Sequence, residues 1–253
     1  MRRLPAASTF WHNSLYMFFS KLRTGCVRAQ TTEYRFRIAV LAGLIAGLLT
    51  AAMAQQTVVP TVSFTCDFPG SEPDHYAISV SDDGNAVYDS DSKLNDSAAS
   101  EPFHSDFTVS QASRTRIFDL AKRAHYFEGD VDSKKKNLAS TGVKTLAYKD
   151  TQKSTRATYN YSPIPAVEDL TAFFQSLSTT LEFGHRLDYY LRYQKLALDE
   201  EMKKMEEMSN SGGLVEISAV APILQKIADD PAVIKVVRAR AQRLMLAPAA
   251  KGK

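Results

Sequence analysis

Apolar and polar residues alternate along Tyr76-Ala-Ile78-Ser-Val80, so Tyr76, Ile78 and Val80 share one face of a strand. Asp82-Asp-Gly84-Asn85 follows, and then Ala86-Val-Tyr88. Alternation flanking an Asp-Gly pair predicts a β-hairpin. Val62-Ser-Phe64-Thr-Cys66 predicts a strand before it, and Phe107-Thr-Val109 a short strand after it. The intervening stretch from Asp89 to Pro102 is dense in Ser, Asp and Asn and reads as loop. Val143 to Tyr148 and Thr155 to Tyr161 flank Asp150–Ser154 and predict a second hairpin.

Elsewhere the period changes to that of a helix. Ile117, Leu120, Ala121 and Ala124 recur at helical spacing, which predicts an amphipathic helix over Gln111–Tyr126 with Ser110 as its cap. Pro165 suits a first helical turn, and Val167, Leu170, Phe173, Phe174 and Leu177 mark a buried face. A separate long helix is expected from about Phe183 to Met208, supported by i,i+4 pairs Asp199/Lys203 and Glu200/Lys204. Ser209 to Gly213 stops it. A final helix pair is patterned by Val215, Val220, Leu224 and Ile227, then by Ile234, Val237, Ala241 and Leu244. Asp230 is expected to cap the second helix, with Pro231 in its first turn. Arg238, Arg240 and Arg243 sit where cations favour the helix dipole. The pattern therefore predicts an α+β fold, an antiparallel sheet with a packed helix followed by a helical C-terminal region. Its divisions are 58–162 for the sheet domain, 163–247 for the helical region and 248–253 for a tail.

One apolar stretch belongs to neither period. Arg35-Phe-Arg37 leads into apolar Ile38 to Ala51, and Ala52-Met-Ala54 closes it. Positive charge, a short apolar core and a small-x-small triplet are the three parts of a signal peptide, with cleavage expected after Ala54. A spanning helix needs roughly 20 apolar residues, and this run contains Gly43 and Gly47. Residues 1–54 then form a leader. Its first part, with Trp11, Tyr16, Phe18 and Phe19 among basic residues, reads as sequence from a start placed too far upstream.

Removing the leader changes the charge. The whole chain carries 31 basic and 28 acidic side chains. Seven bases and one acid precede residue 55, so the remaining chain has 24 bases against 27 acids. Overall basicity therefore offers no ground for nucleic-acid binding. Of two cysteines only Cys66 survives, so no internal disulfide is expected, and a small buried strand position suits it.

No motif supplies a catalytic frame. His75, His104, His125 and His185 form no H-x-x-x-H pair, and His125/Glu128 reads as surface capping at a helix end. Asp82, Asp83, Asn85, Asp89 and Asp91 fail the calcium-loop spacing, because Lys93 and Leu94 occupy its third ligand and glycine positions. No G-x-S-x-G elbow, dinucleotide fingerprint or phosphate loop is present. Lys134-Lys-Lys136 reads as a solvated loop, and Tyr148, Tyr159, Tyr161, Tyr189, Tyr190 and Tyr193 as packing of helix on sheet. No catalytic, metal or cofactor residues are expected.

Tyr76-x-Ile78-x-Val80-x-x-Asp83-Gly84-x-x-x-Tyr88, Ala124-x-Tyr126-Phe127, Thr141-Gly-x-Lys144-Thr-Leu, Leu181-Glu-Phe-Gly and Ile227-Ala-Asp-Asp-Pro-Ala232 stand along the chain. In these residues it resembles exported bacterial proteins of unknown function, of the Acidobacteria type. The resemblance spans Val62 to Leu244 and implies a bacterial envelope, periplasmic or secreted location. The expected role is a non-enzymatic binding or structural module with a protein or envelope partner and no nucleic acid. An exported hydrolase with a dispersed site, and a periplasmic protein tethered by an uncleaved Ile38–Ala54 helix, are the alternatives. Membrane contact is expected only through that segment if it stays uncleaved.

Overall fold

A computed structural model describes residues 58–92, 94 and 101–246. The leader 1–54 with its export segment and the tail 248–253 lie outside the described residues. Period-two alternation resolves into six strands, β1 (Thr61–Asp67), β2 (His75–Ser81), β3 (Asn85–Ser92), β4 (Glu101–Thr108), β5 (Val143–Lys149) and β6 (Ser154–Tyr159). They form one antiparallel sheet in the order β4-β3-β2-β1-β5-β6. Helices follow and cover one face, so the chain is α+β with a helical C-terminal region.

Both strands around the expected Asp89–Pro102 loop are longer than the pattern predicts, since β3 reaches Ser92 and β4 begins at Glu101. Ser90 and Ser92 keep the alternation of Ala86 and Tyr88 and are buried, but as hydroxyls they carry no hydropathy signal. Opposite them, Phe103 pairs with Ser90 and Phe107 with Ala86 on the covered face.

Helix α1 (Gln111–Arg123) starts as expected, with the Ser110 hydroxyl accepting from the Ser113 amide at 3.2 Å. It stops before Tyr126. His125, Tyr126 and Phe127 all take positive φ, a conformation that costs an L-residue on the order of 1–2 kcal/mol. The reversal buries Phe127 and sets Tyr126 against the Tyr148 ring, 4.5 Å between centroids. His125 is left exposed on this turn.

Helix α2 runs from Pro165 to Tyr193 without the break expected before Phe183. Hydroxyls in this stretch fold back on the helix, as Thr179 does on the Gln175 carbonyl at 3.0 Å. Thr180 lies between the carbonyls of Ser176 (2.9 Å) and Val215 (2.8 Å). Gly184 is needed for close approach, because a Cβ there would sit 2.5 Å from Val220 Cγ1. The chain breaks at Gln194 instead (φ −144°, ψ 59°), and α3 (Leu198–Asn210) follows a short 3-10 turn.

The last pair is α4 (Ala221–Asp229) and α5 (Lys235–Leu246). Asp230 caps a turn rather than α5, accepting from the Ala232 amide at 2.8 Å. That turn buries Val233 and leaves Ile234 51% exposed, reversing the expected assignment. Glu200 pairs with Lys204 at 2.9 Å, but Asp199 turns away from Lys203 to meet Arg240 of α5. Strand and helix residues share one core, with Phe64 of β1 stacked on Phe174 of α2 at 5.4 Å. Among the described residues no helix is long and apolar enough to cross a membrane.

Candidate functional site

Two polar clusters interrupt this apolar seam between sheet and helices. The first gathers on a carboxylate. Alternation puts Tyr88, Ser90 and Ser92 on the covered face of β3, and helical spacing puts Ser178, Glu182 and His185 on one side of α2. Glu182 is 3% exposed. Its Oε1 accepts from the Tyr88 and Ser90 hydroxyls, each at 2.7 Å, and its Oε2 from Ser92 at 2.5 Å. Ser178 Oγ lies 2.9 Å from the Tyr88 hydroxyl. Three hydroxyl donors thus serve one buried carboxylate, which is how a protein solvates a charge away from water. Burial and the neighbouring Glu182 hold the Tyr88 phenol far above its usual range.

His185 joins from the side. Its Nδ1 lies 3.3 Å from Ser92 Oγ, and its ring stacks on Phe103 with centroids 3.9 Å apart. Burial pushes its pKa down. A serine, a histidine and a carboxylate therefore meet, but in the wrong order for hydrolysis. Nucleophilic attack needs the serine proton on histidine and the histidine held by the carboxylate. Here Ser92, 2% exposed, spends its proton on Glu182 directly. His125 lies elsewhere, on the exposed turn after α1. His75 and His104 face outward, on Asp67 (2.5 Å) and Asp89 (2.6 Å). Hydrogen bonding to Asp89 raises the His104 pKa.

The second cluster is a cross-strand row. Tyr76, Cys66, Lys144 and Tyr159 are successive register partners across β2, β1, β5 and β6. All four are buried. Lys144 Nζ donates to Thr141 Oγ1 (2.7 Å), the Asn160 carbonyl (2.9 Å) and, more weakly, the Gly142 carbonyl (3.5 Å). Burial lowers the Lys144 pKa and raises those of Cys66, Tyr76 and Tyr159. Gly142 has φ +89° and packs where a Cβ would meet Phe68 at 2.8 Å.

Clefts open beside both clusters. A cleft of about 490 Å³ lies between the β1–β2 connection and α2 and α3, lined among others by Phe68, Glu72, Tyr76, Glu182, Arg186 and Lys204. Arg186 crosses to Glu201 at 2.6 Å and lies over the Phe183 ring at 4.8 Å. A second cleft of about 310 Å³ is lined by Lys144, Tyr159, Asn160, Tyr161, Glu168 and Gln175, with others. Thr141 and Gln175 line both.

A third buried acid, Glu216, has φ 51° and is 8% exposed. It accepts from the Ser110 amide (2.9 Å), the Ser110 hydroxyl (2.6 Å) and the Ser113 hydroxyl. A negative charge thereby meets the N-terminus of α1, where the helix dipole favours it. This contact latches the C-terminal helices to α1 and is structural.

The Asp82–Asn85 acids form a turn, with Asp83 accepting from the Asn85 amide at 3.0 Å. Tyr148 and Tyr159 are buried on the sheet, whereas Tyr193 is 69% exposed. No cluster of three or more His, Cys, Asp or Glu suited to a metal occurs among the described residues. Neither Glu182 nor Lys144 stands out as a site residue in the sequence. The available signal was phase, since Ser90 and Ser92 follow Tyr88 and Lys144 precedes Leu146 and Tyr148 at steps of two. No protein-family model matches the chain, and no curated protein does.

Proposed function

We propose that the chain is exported through its Arg35–Ala54 segment and acts in the bacterial envelope or outside the cell as a non-enzymatic binding module. Its binding face is the cleft of about 490 Å³ between the β1–β2 connection and α2 and α3. That cleft carries the reading. It brings exposed cationic Lys204, exposed anionic Glu72, the exposed Phe68 ring and the Arg186–Glu201 pair into one concavity. Concave, partly apolar surfaces with a few convergent polar groups are what ligand sites share. The buried hydroxyls nearby support binding over hydrolysis, because Ser90 and Ser92 are committed to Glu182.

Envelope fractionation tests both halves. Mature protein is expected in the exported fraction with Gln55 as its first residue; recovery in the cytoplasmic fraction would refute the export half, and an exported protein that starts within 1–54 would refute cleavage after Ala54. Cross-linked partner recovered with the wild type should be lost from a Glu72→Lys/Lys204→Glu double variant, since both side chains are exposed at the cleft rim. A partner retained equally by the variant, or no partner at all, counts against the binding face.

A further inference from the structure

The sheet has two edges, and the fold treats them differently. Along β6 the segment after α1 meets the strand. The Thr155 hydroxyl donates to the Tyr126 carbonyl, and the Ser133 amide donates to the Tyr161 carbonyl just beyond the strand. Along the outer side of β4 no such partner occurs among the described residues. The register shows which groups are left open. The Val109 amide donates to the Gly84 carbonyl at 3.0 Å, continuing the register that sets Asn85 opposite Thr108. Hydrogen-bonded pairs alternate along an antiparallel ladder, so Phe107, Ser105 and Phe103 also bond to β3. The amides and carbonyls of His104, Asp106 and Thr108 therefore point away from the sheet. Pro102 falls at the next such position, where a missing N–H removes no ladder bond.

The space they face already has a floor. A cleft of about 300 Å³ is lined by Phe103 and Ser105, on the covered face of β4, and by Asp106, on its other face. A strand lined from both faces is lined at its edge. Val220, Pro222 and Ile223, at the start of α4, line the same cleft, so the helical layer continues beneath the position of a seventh strand. Side chains of such a strand would alternate between this largely apolar floor and the outward face. Asp188 and Lys226 also line the cleft and carry opposite charges. The outward face is acidic at this end, with Asp89, Asp91 and Asp106 against His104 alone on β3 and β4. A second copy would add an equally acidic edge, and like charges across a strand pair are destabilising. A basic strand meets the opposite charge.

We propose that β4 takes up an extended segment of a partner protein as a seventh strand, one whose residues alternate between basic and apolar. Its backbone pairs with the open amides and carbonyls of His104, Asp106 and Thr108. Its basic side chains lie beside Asp106 and Asp89, and its apolar ones enter the cleft over Ile223. Backbone pairing supplies affinity, and the side-chain alternation selects the partner. This edge cleft shares no lining residue with the larger cleft of the binding reading, so either surface can fail alone.

The test uses the full chain and a peptide of about seven residues alternating lysine and valine, with a glutamate–valine peptide as its counterpart. Amide exchange is followed residue by residue. In the chain alone the His104, Asp106 and Thr108 amides are expected to exchange fast, unlike those of Phe103 and Ser105. The lysine–valine peptide should slow all three and bind at least about tenfold more tightly than its counterpart. Asp106→Lys, at an exposed position, should weaken its binding roughly fivefold. The Glu72→Lys/Lys204→Glu variant should bind it as the wild type does. Amides already slow in the chain alone, whether covered by a second copy or by another segment, overturn the proposal. So does a peptide that binds without slowing them, equal binding of both peptides, or no binding at about 1 mM peptide.

Discussion

Replacing Glu182 with leucine removes both carboxylate oxygens from the buried cluster at once. Tyr88 keeps Ser178 at 2.9 Å, and Ser92 keeps His185 at 3.3 Å. Ser90 keeps no side-chain partner, so its buried hydroxyl bears a desolvation cost of about 1–3 kcal/mol. The other two exchange a bond to a charge for a neutral one, about 1 kcal/mol each. Release of the buried charge offsets part of this, and the net loss is about 2–4 kcal/mol. For a chain of this size, that lowers the melting temperature by roughly 5–15 °C. Glu182→Gln has the same shape but different consequences. Its carbonyl still accepts from Tyr88 and Ser90. Its amide can donate to Ser92, whose proton then turns to His185, for a loss of about 1 kcal/mol. Urea unfolding followed by circular dichroism measures both. A leucine variant within about 0.5 kcal/mol of wild type would refute the acceptor count. A glutamine variant as damaged as leucine would show that charge, not acceptor geometry, holds the cluster.

Gly184→Ala gains about 1 kcal/mol of helix propensity. Its Cβ nevertheless lands 2.5 Å from Val220, so the net is destabilising by about 1–2 kcal/mol, and adding Val220→Ala should recover most of it in a double-mutant cycle. Glu216→Ala should lose about 2–3 kcal/mol and speed amide exchange in the first turn of α1, and unchanged exchange would remove its capping role. The two histidines should titrate on opposite sides of the ordinary value near 6.5 by NMR. His104 is raised when folded, so its contribution is present below the unfolded pKa and is lost as pH rises through the folded one. His185 is lowered, so its contribution is present above the unfolded pKa and is lost as pH falls toward the folded one. Asp89→Asn should return His104 toward 6.5 and leave His185 in place.

Local chemistry determined much of this protein. Alternation placed β1, β2, β5 and β6, the Asp83-Gly84 turn set the first hairpin, and Pro165 and Ser110 opened helices where they stand. These features depend on a residue's own backbone preferences and its near neighbours, which the sequence displays. Tertiary structure decided the rest. Thr180 has no apolar signal, yet it is buried because its hydroxyl meets the Val215 carbonyl 35 residues away. Asp199 has Lys203 within reach along its helix but takes Arg240 of α5. Ser90 and Ser92 look like loop because their burial depends on a carboxylate about 90 residues downstream. Lys144 looks like a surface charge until the sheet register sets it between Cys66 and Tyr159. For Thr180, Ser90, Ser92 and Lys144 hydropathy gives the wrong sign. A polar group is buried when distant partners satisfy it, and only the folded chain brings those partners together.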